Sequence, residues 1–459
     1  MMRLIKMPLF YPLTLILGML SAFGCTDSSV SGPTYNQDIG PLLNARCANC
    51  HVDGSVAPFT LGSYADAYNQ RFAIRSSVIN GTMPPWQPVD GCNTYKGDLS
   101  LSAEQIASIA EWVDKGAPEG EAVVDATANA LVMGGDMEGG ISRIDLSMEM
   151  PLAYEPQLFP DDYRCFLLDW PENELKYVTG FHAQPGNMQI VHHVIAFLIG
   201  PEKAAEYEAL DAESEIPGYT CFGGPGGNVS SAVGWIGAWA PGDPGGDTPV
   251  GTGIPVQPGS KVALQVHYDS GLYEPGMLDQ TTVHFKLDDT VEKPAFVLPF
   301  ANPDWLTTTN SMLIPAGETA QSHSFLFDPT PFFGPEGIFG SVNLSGGLIA
   351  SNTAFEIHST GLHMHELGKE IKLEVHRANG DRTCLLEIDD WDFNWQGGYS
   401  LAEKEIFEPG DKLYLECTWD NSAPNQRVIE GAQQEPRDVT WGEGTSDEMC
   451  LGVIYITAH

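Results

Sequence analysis

Positive charge is what this sequence most lacks: 22 Lys and Arg stand against 61 Asp and Glu, a formal net charge of −39 over 459 residues. That balance excludes nucleic acid as a partner, because the phosphate backbone would be repelled. It fits the well-solvated acidic surface of an exported protein and leaves room for a basic electron-donor partner. Long apolar runs are also scarce. Beyond residue 24 no segment approaches the length needed to span a bilayer, so any membrane contact is through a lipid anchor alone. No convincing acid–base or nucleophilic triad stands out. What is present is a globular composition, 42% hydrophobic and 10% aromatic, in a chain long enough for about two to four domains.

Residues 1–25 have the layout of an export signal. Arg3 and Lys6 form a short basic region, and Pro8 to Gly24 is largely apolar before Cys25. Two prolines and a small-residue end favour cleavage over a membrane span. Ala22-Phe23-Gly24-Cys25 resembles a lipoprotein site with Cys25 acylated, simple secretion being the alternative. The expected location is therefore the periplasm or the outer membrane of a Gram-negative bacterium.

Nine cysteines in an exported chain read as disulfides, cofactor attachments or a lipid anchor. Cys47-Ala48-Asn49-Cys50-His51 is the C-x-x-C-H attachment motif of c-type haem. Two thiols one helical turn apart reach the two vinyl groups, and the next histidine approaches the iron axially. Zinc would want a second ligand pair nearby, and none follows; a Cys47–Cys50 disulfide is the other alternative. Helical periodicity surrounds the motif, over Tyr35 to Ala45, Tyr64 to Asn80, and from a Ser102/Gln105 capping box to about Gly116. Met83, on the proline-stiffened loop Gly81 to Trp86, is the candidate sixth ligand. Residues 33–120 thus resemble a small all-α cytochrome c-like domain, and residues 121–140, rich in Ala, Gly and acidic residues, read as a linker.

From about Ile141 the pattern turns all-β, as in Lys261-Val262-Ala263-Leu264-Gln265-Val266-His267-Tyr268. The remaining length suits two antiparallel sandwiches, 141–292 and 293–459. The histidines are informative here. His192 and His193 are adjacent, so on a regular strand they face opposite ways, and sharing a metal requires a bulge or a strand end. His267 would be a third nitrogen ligand. His363 and His365 are two apart and share one strand face, and Met449 adds a thioether, a soft set suited to copper.

The segment from Tyr163-Arg164-Cys165 onward resembles the copper type II ascorbate-dependent monooxygenases, the family of peptidylglycine α-hydroxylating and dopamine β-monooxygenases. The resemblance rests on four ordered pieces: His192-His193, Gln265-Val266-His267-Tyr268, His363-Met364-His365 with Leu367-Gly368-Lys369, and Ser446-Asp447-Glu448-Met449-Cys450. It implies an electron-storing copper at His192, His193 and His267, and a catalytic, oxygen-binding copper at His363, His365 and Met449. It also implies two jelly-roll-like sandwiches facing a solvated cleft, and disulfides Cys165–Cys221 and Cys417–Cys450. Cys92 and Cys384 have no counterpart and are left to pair with each other or stay free. Where the family's amidating enzyme holds a peptide carboxylate with arginine, asparagine and tyrosine, this chain has Gly361, Leu451 and Val453.

The expected protein is multidomain: a small all-α cytochrome c-like domain followed by two all-β jelly-roll-like antiparallel sandwiches. The expected activity is a copper monooxygenase hydroxylating an aliphatic or benzylic C–H of a small apolar substrate with O2. Electrons would come from a periplasmic donor through the fused haem. The alternatives are a copper and haem electron-transfer lipoprotein without hydroxylase activity, or an oxidase.

Overall fold

Alternation of apolar and polar residues sets most strands of this chain. In Thr282–Asp288, Val283, Phe285 and Leu287 point inward, and in Gly368–His376 the inward residues are Ile371, Leu373 and Val375. The computed structural model describes residues 32–48, 50–52, 57–122, 140–226, 234–240, 243, 245–269, 273–306, 312–333, 347–429 and 432–459. Cys25, the expected signal segment and most of the expected linker lie outside them.

A nine-stranded sheet runs through two stacked β-sandwiches. Its first half, built on Lys176–Gln184, Thr252–Val256 and Thr282–Asp288, packs on a five-stranded sheet centred on Asp161–Asp169, Lys261–Asp269 and Val191–Ile199. Its second half, Lys293–Phe300, Leu451–Ala458, Phe355–His363 and Gly398–Phe407, packs on a four-stranded sheet. That sheet comprises Gln321–Phe327, Lys412–Trp419, Gly368–His376 and Arg382–Ile388. The halves join where Lys293 and Pro294 pair in parallel with Thr252 and Gly253. Tyr455 also reaches from the second half into the first core, its hydroxyl 2.9 Å from that of Thr252. The central strand Lys261–Asp269 is buried on both faces. Its outer face is covered by helix Ala204–Glu213 and the Cys165–Cys221 region, which form a small core of their own.

The expected all-α N-terminal domain is corrected by the structure. The described residues are mostly sheet, and their five α-helices are short, from 4 to 16 residues. Helices α1 (Gly40–Arg46), α2 (Tyr64–Ile79) and α3 (Ala103–Asp114) form where periodicity places them, and Ser102 and Gln105 complete both halves of the capping box. They close over a small cluster including Ile39, Leu43, Ile109 and Trp112, and no sizeable all-α domain results. The cause lies between α2 and α3. Pro84, Pro85 and Pro88 cannot sit inside a helix, and the chain there leaves the helices to bind the second sandwich. Pro88 bridges Ile388, Tyr95 bridges Leu401, and Cys92 is disulfide-bonded to Cys384.

Glu356, 2% exposed, ties together strands of the second half by accepting from Lys293, Lys404 and His459. Burial alone would raise its pKa, but these hydrogen bonds, Lys293 foremost, bring it to about 2. A depressed carboxylate stabilises the fold above its unfolded pKa and loses that contribution as pH falls through the folded one. Glu356→Gln should therefore lower unfolding free energy at pH 7 by about 1.5–3 kcal/mol. In urea denaturation the gap from the unsubstituted chain should close between about pH 5 and pH 2; a gap constant with pH would refute the account.

Candidate metal centres

The first cluster is built by a defect in a strand. Val191–Ile199 pairs with Lys261–Asp269, and the register slips between Val191 and His193, which frees His192 from strict alternation. His193 then stands directly opposite His267. The Nδ1 atoms of His192 and His193 are 3.2 Å apart, those of His267 and His193 3.4 Å, and all three histidines offer ligand nitrogens within 4.8 Å of one another. Nitrogens bound to one metal at about 2.0–2.1 Å lie roughly this far apart.

Burial keeps these rings neutral. It draws the His192 pKa down to about 4, and holds those of His193 and His267 well below the usual imidazole value with help from neighbouring imidazoles. Their lone pairs are thus available at neutral pH, and His192 Nε2 is buried without a hydrogen-bond partner. Asp161 sets the His267 tautomer: its carboxylate lies 2.9 Å from Nε2, so Nε2–H donates and Nδ1 faces the cluster. Tyr163 stacks on the same ring at 4.0 Å and 10°.

The second cluster lies where Phe355–His363 ends. His363 and His365 have ring centroids 5.1 Å apart. Gln396 Oε1 is 2.5 Å from His363 Nδ1, and the Asp447 carbonyl is 3.1 Å from His365 Nδ1, so each ring is oriented by one nitrogen and presents the other. Both pKa values are lowered by burial, His365 to about 3. Leu451 pairs with His363, and continuing that register places buried Met449 opposite His365. Two neutral imidazoles beside a thioether suit a soft metal. Glu448, fully buried, accepts from the backbone N–H of His365 and Leu367 and from the Trp419 indole. Burial raises its pKa to about 8 despite those bonds.

The clusters face each other. His193 and His363 have centroids 6.5 Å apart, and Phe393 stacks on His192 at 4.4 Å while standing 6.1 Å from His365. Beside them a cavity of about 990 Å³ opens between the sandwiches, lined in part by Gln396, Tyr399, Trp235, Val453 and Tyr455. The register brings Gly361 opposite Val453, two pairs along from Leu451 and His363. These positions thus form one uncharged patch beside the second cluster.

Elsewhere, Cys47 and Cys50 are free thiols, with burial foremost raising the Cys47 pKa to about 11. His51 is buried, its Nδ1 3.0 Å from the Phe59 carbonyl, while Met83 is 42% exposed on the loop after α2. Cys165–Cys221 and Cys417–Cys450 are paired, as are Cys92 and Cys384. Sequence reasoning missed Asp161, Phe393 and Gln396 and gave Glu448 no role. An aromatic-rich loop, Trp391 to Gln396, was the visible signal for two of them.

Residues 349–458 match the family model of the copper type II ascorbate-dependent monooxygenase C-terminal domain. Human DBH-like monooxygenase protein 1 is 29% identical over 224 residues, 47% of this chain and 32% of that protein. The chicken protein of the same name is 27% identical over 223 residues, again 47% and 32%. Human putative DBH-like monooxygenase protein 2 is 22% identical over 300 residues, 64% of this chain and 53% of that protein. The matched region thus spans about a third to a half of the length of these curated relatives. Residues 349–458 are thus similar to the C-terminal domain of a copper-dependent monooxygenase family.

Two outcomes follow from the supporting residues. Asp161→Asn should weaken copper at the first cluster about 10–100-fold, as loss of an imidazole's carboxylate partner does, read by competition with a chelator. Unchanged affinity would show that Asp161 does not orient His267. Glu448→Ala strands two backbone N–H groups and an indole, and should cost about 2–4 kcal/mol in denaturant unfolding.

Proposed function

We propose that this chain is an exported copper monooxygenase that hydroxylates a C–H bond of a small apolar molecule. The net reaction is C–H plus O2, two electrons and two protons giving C–OH and water. The observation that carries the reading is the facing pair of neutral imidazole clusters, with centroids as close as 6.5 Å, beside a largely apolar cavity that Lys96, Asp243 and Asp247 also line. Copper, when bound, supplies oxygen activation at His363, His365 and Met449 and one-electron storage at His192, His193 and His267. The protein's own residues hold those ligands neutral and aimed. Asp161 and Gln396 orient one ring in each cluster, and Glu448 pins the turn that carries His365. Gly361, Leu451 and Val453 leave no charge to hold a carboxylate, which favours an aliphatic or benzylic substrate over a peptide terminus.

The two-electron demand needs a donor. A c-type haem bonded to Cys47 and Cys50, with His51 and Met83 as axial ligands, would supply single electrons from a periplasmic partner. The free thiols and the Phe59 carbonyl that orients His51 are compatible with attachment there. Acylation of Cys25 would hold the protein at the outer membrane.

The test is oxygen uptake with product analysis across a panel of alkyl and phenylalkyl substrates. Hydroxylated product should match oxygen consumed, and His363→Ala should abolish product while leaving the first copper bound. Oxygen uptake without product would point to an oxidase, and no uptake to an electron-transfer protein. Expression with haem-maturation machinery should give a pyridine haemochrome signal that Cys47→Ser/Cys50→Ser loses; no signal in the unsubstituted chain would remove the haem from the account.

A further inference from the structure

The segment between α2 and α3 does more than tie the N-terminal helices to the sandwiches. It lies across the edges of both sheets of the second sandwich. On Arg382–Ile388, the Val89 N–H donates to the Glu387 carbonyl at 2.9 Å, the Asn93 amide to Cys384 at 2.8 Å and the Tyr95 hydroxyl to Leu385 at 3.0 Å. On Gly398–Phe407, the Lys96 N–H donates to Ser400 and the Ala402 N–H to Thr94, both at 2.8 Å. The Cys92–Cys384 disulfide makes the attachment covalent. Capping exposed strand edges would by itself explain this binding between Pro88 and Lys96.

It does not explain the residues on either side. Pro85 and Trp86 before the attached stretch, and Gly97 and Leu99 after it, line the cavity between the sandwiches. Trp86 stands edge-on to Tyr399 at 5.3 Å and 88°, and to Tyr95 at 6.1 Å. Across the cavity are Val453 and Tyr455, on the strand paired with the one that ends at His363, and Trp235 from the first sandwich. Gln396, which orients His363, lines the same space. The cavity therefore has three walls, and one comes from the N-terminal segment.

We propose that residues 84–99 are the specificity wall of the substrate cavity, with Trp86 and Leu99 selecting a ring-bearing, largely apolar molecule. The aromatic walls argue for the ring: Trp86, Tyr399, Trp395, Trp235, Phe181 and Tyr455 offer faces and edges to an aromatic group. The space suits a molecule of moderate size, since ligand cavities run to about 300–1,000 Å³. The inference rests on the monooxygenase reading for the word substrate, but the wall itself is testable without turnover.

The experiment measures binding of 4-phenyl-1-butanol to the full-length, copper-free chain by titration calorimetry. Trp86→Ala and Leu99→Ala should each weaken binding about tenfold, the scale of a lost aromatic or aliphatic contact. Trp86→Phe should largely restore it, and Leu326→Ala, on an exposed position of the strand Gln321–Phe327, should leave it unchanged. Near-ultraviolet circular dichroism and an intact Cys92–Cys384 bond establish that each variant is folded. Absence of binding to the unsubstituted chain, binding by Trp86→Ala and Leu99→Ala as tight as that of the unsubstituted chain, or an about tenfold loss in Leu326→Ala would overturn the wall. In copper-loaded protein, Trp86→Ala should raise KM for phenylalkyl substrates with little change in kcat. If binding follows the expected pattern but nothing is hydroxylated, the wall stands and the monooxygenase reading falls.

Discussion

One buried carboxylate joins the two halves of the site. Asp161 is 7% exposed and receives Nε2–H of His267 at 2.9 Å from its own sandwich. From the other sandwich it receives the backbone N–H of Thr445 at 3.0 Å, together with the Thr445 hydroxyl. A buried carboxylate without such partners would be strongly unfavourable, so both partners are held where Asp161 needs them. Thr445 begins the segment that supplies the Asp447 carbonyl to His365, Glu448 to the turn behind it, and Met449 and Cys450. Moving Asp161 would therefore disturb a ligand of the first cluster and the frame of the second together.

Neutrality of the histidines is the complementary constraint. Five imidazoles gathered in one region would repel one another if protonated, and burial prevents it by penalising the charged form. The same burial that makes the rings good ligands makes each dependent on a fixed partner. Asp161, Gln396 and the Asp447 carbonyl serve His267, His363 and His365. Phe393, from the second sandwich, closes against His192 of the first, so the inter-sandwich packing is also the packing of the site.

Local features were legible from sequence. Strand alternation, the three N-terminal helices and the spacing of His363 and His365 follow from periodicity. The adjacent pair at 192 and 193 demanded an irregular strand if both were to serve one metal, and a register slip is found there. Long-range features were not legible. Asp161 meets Thr445 across 284 positions, and Cys92 meets Cys384 across 292, with no local pattern to announce either. The N-terminal segment was misread as an all-α domain for the same reason. Its helical periodicity is local, whereas the docking of residues 84–99 onto two sheet edges depends on strands nearly three hundred residues away.

The central claim is that two clusters, coupled through Asp161, each hold one copper. Copper quantification with an electron paramagnetic resonance spectrum of the oxidised, reconstituted protein tests it most directly. The account predicts two coppers per chain with tetragonal, imidazole-coordinated signals. A single bound copper, or none, would contradict it.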